Sequence, residues 1–178
     1  MKKVLAISSS ARLGGNSDIL CDCLLSGAAE SGHSTEKINI AKLSITPCLG
    51  CWACNNNNGC VVRDDMDTVI KAVRDADVIV FATPLYFYSV SGTLKNFWDR
   101  TNGYHSAFEG KSTALIVTAA DKEEDCTSLA AQCYDGWLRC MDNVTDLGVI
   151  SATGVFEKGD VLKNKELTNM IKSKGSSL

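Results

Sequence analysis

A short segment rich in hydroxyls and glycines, residues 8–17, has the residue types that bind a phosphate. It reads Ser-Ser-Ser-Ala-Arg-Leu-Gly-Gly-Asn-Ser and precedes a stretch of helical spacing that begins near Asn16. Backbone N–H groups at a helix start attract an anion, and Arg12 adds a charge-assisted contact. The alternative is an ordinary turn in which Asn16 or Ser17 caps the helix. The Walker and Gly-x-Gly-x-x-Gly patterns are absent, so a phosphate here needs a different loop.

A second segment places three aromatic residues directly after an apolar run. Residues 84–89 read Pro-Leu-Tyr-Phe-Tyr-Ser and follow the apolar run at residues 77–83. A flat, partly polar ring would find a stacking surface there. The alternative is an exposed aromatic loop that packs on a neighbouring subunit.

Nine cysteines are a high count for 178 residues, and four of them lie close together. Their spacing is Cys48-x-x-Cys51-x-x-Cys54-x5-Cys60. Thiolates at these gaps can converge on one iron–sulfur cubane. Structural zinc is less apt, because zinc sites usually pair two separated Cys-x-x-Cys units; ordinary free thiols are the other alternative. We expect the remaining five to be small core residues: Cys21, Cys23, Cys126, Cys133 and Cys140.

The elements that must position these residues follow from alternating apolar runs and helical spacing. The predicted strands are residues 4–7, 35–40, 77–83, 114–118 and 144–151, and helices are predicted from about residues 16, 64, 91, 124 and 162. Strands that are apolar throughout belong to a parallel sheet covered on both faces. Five of them, alternating with helices, predict an α/β fold, a three-layer sandwich whose five-stranded parallel sheet has the order 2-1-3-4-5. Residues 1–178 are expected to form a single domain.

This strand order brings the two distinctive loops together. Ligands of such sheets bind at the carboxyl ends of the strands, at the switch point between strands 1 and 3. Residues 8–17 and 84–89 follow those two strands. A flavin suits the pair, because it combines a phosphate, a polyol chain and a planar tricycle.

Composition and charge exclude several classes of partner. The formal charge of −3 and the lack of a basic stripe argue against nucleic acid. No apolar run approaches the roughly 20 residues of a membrane span, and the N-terminus does not resemble a signal peptide. An odd number of cysteines without secretory features is typical of a reducing compartment, so we expect a cytoplasmic protein.

The motifs carry a resemblance that covers essentially the whole chain. Ser10-x-Arg12-x-x-Gly15-Asn16-Ser17, Thr83-Pro84-Leu85-Tyr86-Phe87 and Ser91-Gly92-x-Leu94-Lys95-x-Phe97-x-Asp99-Arg100 resemble the NAD(P)H-dependent FMN reductase families of the flavodoxin-like superfamily. The later stretch Lys158-Gly159-Asp160-Val161-x-x-Asn164 is similar to the same group. The cysteine spacing resembles the iron–sulfur flavoprotein branch, which carries a [4Fe–4S] cluster beside FMN.

The resemblance implies a set of cofactor contacts. For FMN they are Ser8, Ser10, Arg12, Gly15, Asn16 and Ser17 in the first loop, Pro84, Leu85, Tyr86, Phe87, Tyr88 and Ser89 in the second, and Thr118, Ala119 and Asp121 after the fourth strand. For a [4Fe–4S] cluster the implied ligands are Cys48, Cys51, Cys54 and Cys60. Ser9 and Ala11 depart from the family, where Gly and Pro are frequent, but both leave the backbone donors in place.

The function that the resemblance implies is electron transfer through FMN. NAD(P)H would be the reductant and a quinone, a flavin, iron or a nitro compound the small-molecule acceptor, with the flavin rather than a side chain carrying the chemistry. The alternative is an iron–sulfur flavoprotein or a flavodoxin-like electron carrier, with ferredoxin as a candidate partner. Members of the family are usually homodimers or homotetramers.

Overall fold

The computed structural model describes residues 1–56 and 59–178, and in these residues five parallel strands form one sheet. The strands are β1 (Lys3–Ser8), β2 (Ser34–Asn39), β3 (Val78–Pro84), β4 (Ser112–Thr118) and β5 (Thr145–Ala152). The helices are α1 (Asn16–Glu30), α2 (Met66–Asp75), α3 (Gly92–Arg100), α4 (Ser128–Leu138) and α5 (Lys165–Ser176). The sheet order is β2-β1-β3-β4-β5, which confirms the predicted flavodoxin-like sandwich.

The sheet is covered by helices on both faces, as the uninterrupted apolar runs in β1, β3 and β4 require. The edge strands β2 and β5 are largely exposed. Along β1 the side chains alternate between two cores, with Leu5 and Ile7 in one and Val4 and Ala6 in the other. Helices α2, α3 and α4 contribute to the first core, and α1 and α5 contribute to the second. Because β1 and β3 are neighbouring parallel strands, their carboxyl ends lie side by side and carry the two distinctive loops.

The helices are short, and two of them cross at very close range. A Cβ atom built on Gly27 of α1 would overlap the carbonyl oxygen of Lys172 in α5, and one built on Gly175 would overlap the carbonyl oxygen of Leu24. Glycine at both positions lets the two backbones touch. The longest helix, α1, has 15 residues, and among the described residues no helix has the length and apolarity to cross a membrane.

Two helix boundaries differ from the prediction for local reasons. The predicted helix from residue 124 begins with a 3₁₀ turn at Glu124–Thr127, so α4 starts only at Ser128. The predicted helix from residue 162 is divided, because the Asn164 side chain accepts a hydrogen bond from the Leu167 N–H and starts α5 afresh. At its end, α5 continues to Ser176, whose hydroxyl donates to the Gly27 carbonyl.

Candidate functional site

The first loop, residues 8–17, folds as a tight turn that leads into α1. The Ser10 hydroxyl donates to the Arg12 carbonyl (3.2 Å) and accepts from the Arg12 N–H (3.2 Å). The Gly15 N–H donates to the same carbonyl at 2.9 Å. A Cβ atom on Gly15 would lie 2.9 Å from that oxygen, so the turn has no room for a side chain there. The hydroxyl-rich sequence therefore uses its own side chains to fix a compact turn.

The start of α1 has the properties of an anion site. Gly15 is the N-cap residue, and no side chain in the described parts of the sequence caps the helix there. The first N–H groups of a helix lack intrahelical partners and carry the positive end of the helix dipole. The carboxylate of Asp18 lies in the same turn, but it accepts a hydrogen bond from the Gly14 N–H and pairs with Lys37. The amides at the helix start are thus the donors that suit an anion.

Two cations flank this turn. Arg12 is exposed; its guanidinium donates to the Phe156 carbonyl (3.2 Å) and lies 5.9 Å from the centre of the Phe156 ring. The end of the Lys158 side chain lies against Gly14, about 3 Å from where a Cβ atom would stand. Sequence reasoning assigned no role to Lys158, although it lies in a quoted family stretch. Lys158 comes close to Gly14 only because the segment after β5 folds back on the first loop.

Asn16 and Ser17 use their side chains for structure. The Asn16 carbonyl oxygen accepts from the N–H groups of Gly159 (3.1 Å) and Val161 (3.3 Å), and its amide nitrogen donates to the Glu157 carbonyl. The Ser17 hydroxyl shares a 2.7 Å hydrogen bond with the Thr118 hydroxyl. Both side chains therefore join the first loop to neighbouring segments, and their backbone N–H groups are the remaining donors for a phosphate.

The second loop contains a strained aromatic turn. Tyr86 and Ser89 exchange two backbone hydrogen bonds of 2.9 and 3.1 Å, which places Phe87 and Tyr88 at the tip. Both tip residues have positive φ values, 49° and 62°. This conformation costs a residue with a side chain of order 1 kcal/mol or more, and Phe87 is in addition fully exposed. A strained turn that holds aromatic rings in the open is typical of a ligand or partner contact.

Hydrogen bonds join the second loop to the end of β4 and the segment that follows it. The Leu85 N–H donates to the Thr118 carbonyl at 2.8 Å, and the Tyr88 hydroxyl donates to the Asp121 carboxylate at 3.1 Å. The pKa of the Asp121 carboxyl is lowered by the Glu123 N–H and by this hydroxyl. Ala119 is buried and donates its N–H to the Ala152 carbonyl, so it supports this edge rather than presenting a donor.

Another serine at the same edge, Ser9, connects the first loop to the start of α3. Its hydroxyl donates to the Ala82 carbonyl and accepts from the Ser91 hydroxyl at 2.8 Å. The Ser91 hydroxyl in turn accepts from the Leu94 N–H and caps α3. The edge is therefore anchored to β3 and α3. It combines an anion site with exposed aromatic rings, the two features that suit the phosphate and the ring system of a flavin mononucleotide.

A separate cavity of about 600 Å³ lies beneath the cysteine loop, residues 47–61. All four predicted ligands line it; Cys48 and Cys51 are exposed, and Cys54 and Cys60 are half-buried. Residues of α3 and α4 form the opposite wall. Four thiols around one cavity match an iron–sulfur cluster in ligand chemistry. Among the described residues, however, no three His, Cys, Asp or Glu side chains are already gathered as a metal site.

Three of the remaining five cysteines are not fully buried, which corrects the prediction that all five are core residues. Cys21 and Cys126 are buried as predicted, and Cys23 is half-buried and packs against the core. Cys140 is exposed and Cys133 half-buried, and both line the same cavity as the cysteine loop. The Cys133 thiol also lies 3.5 Å from the Ser89 hydroxyl. Cys133 lies in α4, but this helix ends at Leu138, so Cys140 lies beyond it.

The ends of the cysteine loop are held by a buried ion pair. The Arg100 guanidinium forms two hydrogen bonds with the Asp64 carboxylate, at 2.8 and 3.3 Å. The two side chains are only 1% and 8% exposed. Burial raises the pKa of the Asp64 carboxyl, but hydrogen bonds from Arg100 and from the N–H groups of Thr46 and Met66 outweigh it and lower the pKa to about 2. The carboxylate is thus strongly favoured in the folded state.

This ion pair predicts a specific acid sensitivity. Because the pKa of Asp64 is lower in the folded than in the unfolded chain, its stabilisation is complete above about pH 4 and is lost as pH falls towards about pH 2. We expect the difference in unfolding free energy between the wild type and Asp64→Asn to shrink by about 2 kcal/mol over that interval. Urea denaturation at a series of pH values measures it. Asp99→Asn, which removes an exposed pair with Lys95, is the control, and an equal response of both variants would contradict the assignment.

Comparison with known proteins places these features in a family. The family profile described as NADPH-dependent FMN reductase matches residues 2–132. An iron-sulfur flavoprotein of Methanocaldococcus jannaschii is 37% identical over 107 residues, which are 60% of this chain and 55% of that protein. An iron-sulfur flavoprotein of Archaeoglobus fulgidus is 32% identical over 139 residues, 76% of this chain and 63% of that protein. The chain thus spans between half and two thirds of these relatives.

Solved structures share the architecture at lower identity. The NAD(P)H:quinone oxidoreductase from Methanothermobacter marburgensis superposes with a TM-score of 0.72 at 16% sequence identity. The match covers 99% of this chain and 96% of that one. At this identity the likeness establishes the fold.

Proposed function

Since the chain belongs to the NADPH-dependent FMN reductase family, we propose that it is an FMN-dependent oxidoreductase that passes electrons from NAD(P)H to a small acceptor. A quinone, a free flavin, ferric iron and a nitro compound are the acceptor classes. The observation that carries the proposal is an uncapped helix start, flanked by Arg12 and Lys158, at the same sheet edge as a strained aromatic turn. The bound flavin supplies the redox chemistry.

The two loops bind opposite ends of FMN: the first loop binds the phosphate and the second binds the ring system. We assign the phosphate to Arg12 and the backbone N–H groups of Asn16 and Ser17, which are the donors at the start of α1. Ser10 and Gly15 shape the turn beside them through their hydrogen bonds to the Arg12 carbonyl. The ring system is assigned to residues 84–89, with Thr118 and Asp121 at its border. Among these, the Tyr88 hydroxyl is already oriented by Asp121. The side chains orient the flavin and exclude water; no acid–base pair is required of them.

Steady-state turnover tests this proposal. The FMN-loaded protein should oxidise NADH or NADPH in the presence of at least one of the four acceptor classes, at a rate on the order of 1 s⁻¹ or faster. Free FMN at the same concentration gives the background rate. Absence of turnover with every acceptor and both nicotinamides, with FMN bound throughout, would contradict it. Reduction by an electron-transfer protein alone would instead favour a flavodoxin-like carrier.

A second candidate function, an iron–sulfur flavoprotein with ferredoxin as electron partner, rests on the cysteine loop. Its four thiols line one cavity, and the Asn102 side-chain amide lies 3.2 Å from the Cys54 sulfur as a hydrogen-bond donor. Hydrogen bonds to ligand sulfurs are a common feature of such clusters. The names of the two archaeal relatives agree with this reading. The four thiols would hold the cluster, which would supply one-electron transfer.

Iron analysis separates the two candidates. Protein purified or reconstituted without oxygen should contain about four iron and four sulfide per chain if a [4Fe–4S] cluster is present. The double variant Cys48→Ser/Cys51→Ser should lose both, while its FMN content stays unchanged. Replacement of Cys140, which lines the same cavity outside the predicted ligand set, is the matched control. Full iron occupancy in the double variant would contradict the ligand assignment.

The expected assembly and location follow from the surface and the thiols. We propose a homodimer or homotetramer in the cytoplasm, with residues 1–178 as a single FMN-binding domain. Phe87 and Trp52 are large exposed side chains beside the two sites, as a subunit contact would require. All nine cysteines are unpaired in the described residues, in keeping with a reducing compartment.

A further inference from the structure

One buried side chain contacts both ends of the cysteine loop. The Arg100 guanidinium donates to the Thr46 carbonyl (2.7 Å) just before the loop and to the Val62 carbonyl (3.3 Å) just after it. Arg100 also binds Asp64, which follows the loop in the chain. The Asp64 carboxylate in turn accepts a hydrogen bond from the Thr46 N–H at 2.9 Å, so it links the two ends of the loop as well. Every cysteine of the predicted cluster lies between these two ends. A single residue at the end of α3 therefore closes the base of the loop.

Further contacts fix the position of the cysteine loop against the rest of the fold. The Asn96 amide donates to the Ile45 carbonyl at 2.7 Å, and Asp65 accepts from the Ser44 N–H at 2.7 Å. At the other end of the loop, Gly103 lies between two of the cysteines. A Cβ atom on Gly103 would stand 3.2 Å from the Cys54 Cβ and 3.0 Å from the Cys60 nitrogen. Cys54 and Cys60 are thus brought side by side against the turn that follows α3.

Arg100 also retains a donor beside a thiol. Within the described residues its Nε–H has no hydrogen-bond partner, although Arg100 is only 2% exposed. Arg100 and Cys60 line the same cavity. A buried N–H donor without a partner is costly. An anionic sulfur at Cys60 would relieve that cost.

We propose that Arg100 is a positioning residue for the cysteine loop. It holds the two ends of the loop together, keeps Cys54 and Cys60 side by side, and offers its Nε–H to the Cys60 sulfur when that sulfur is a ligand. The first two roles concern the loop itself, and the third rests on the proposed cluster. Arg100 acts through the thiols and does not contact the flavin edge.

Residue-resolved alkylation of the FMN-loaded, metal-free protein tests the first two roles. The variants are Arg100→Met and Arg100→Lys, which keeps the charge but has a single nitrogen and cannot reach all three partners. Iodoacetamide labelling followed by mass spectrometry should show Cys54 and Cys60 reacting roughly tenfold faster or more, because the loop opens locally. Cys21 and Cys126, which are buried elsewhere in the fold, should stay protected. Arg63→Met, which removes an exposed arginine beside the same loop, should behave like the wild type.

The possible outcomes are distinct. Unchanged labelling of Cys54 and Cys60 in Arg100→Lys would overturn the proposal. Equal exposure of Cys21 and Cys126 in both variants would also overturn it, because Arg100 would then support the whole fold rather than the loop. Faster labelling confined to the loop would support it.

A cluster-loaded sample tests the third role. Arg100→Lys should retain FMN, bind less iron per chain and shift the cluster potential to more negative values, while Arg63→Met should change neither. An unchanged potential would overturn the third role. If the wild-type protein takes up no iron, the cluster proposal fails by itself, and the alkylation result still decides the positioning role.

Discussion

FMN should bind this chain at least about a hundredfold more tightly than riboflavin, because riboflavin lacks the phosphate. A hydrogen bond to a charged group contributes about 1.5–3 kcal/mol, and two such bonds at the start of α1 correspond to a factor of about a hundred or more. The donors are the backbone N–H groups that no side chain in the described residues caps, together with Arg12. Fluorescence titration of the two flavins measures both dissociation constants.

Variants of the flanking cations identify the source of the preference. Arg12→Ala should weaken FMN binding by about 1.5–3 kcal/mol and leave riboflavin binding nearly unchanged, because the lost contact is to the phosphate. Lys158→Ala should act in the same direction. Arg139→Ala, which removes an exposed arginine paired with Asp135, is the matched control. Equal affinities for FMN and riboflavin would show that residues 8–17 form only a turn.

Replacement of Gly27 by alanine should destabilise the fold by about 3 kcal/mol. The new Cβ atom would overlap the Lys172 carbonyl oxygen, and a backbone atom cannot move aside as a flexible side chain can. The two helices must separate, which opens the core between α1, α5 and the sheet. Alanine is intrinsically better in a helix by about 1 kcal/mol, so a net loss of stability directly reports the overlap.

A second glycine supplies the control for this experiment. Gly136 lies inside α4, and a Cβ atom there would meet nothing within 4 Å. Gly136→Ala should therefore leave stability unchanged or raise it by up to about 1 kcal/mol. Urea denaturation of both variants gives the two free energies of unfolding. Similar values for the two would mean that α1 and α5 do not pack at Gly27 as described.

The sheet and its order could be predicted because they depend on local patterns. Uninterrupted apolar runs such as residues 78–82 predict the buried central strands, and five strands alternating with helices leave few arrangements. The same pattern placed the two distinctive loops at one edge. Helix starts were less predictable, since the division at Asn164 depends on one side-chain hydrogen bond.

The site was predictable only to the extent that it lies in continuous segments. Residues 8–17 and 84–89 could be identified because their chemistry is visible in the sequence. The approach of Lys158 to Gly14 joins positions 144 residues apart, and no local pattern encodes it. The same holds for Arg100, whose motif position gives no sign that it contacts both ends of the cysteine loop. Seven-residue spacing predicts one helix face for Cys133 and Cys140, but α4 ends at Leu138, and only the fold brings both thiols to a cavity.

The most direct test of the central claim is the visible absorbance spectrum of the protein, saturated with FMN, freed of excess ligand and kept without oxygen. The spectrum should show bound flavin, and addition of NADH or NADPH should bleach it. Subsequent addition of a small acceptor should restore it. A protein that retains no flavin, or a bound flavin that neither nicotinamide bleaches, would contradict the account.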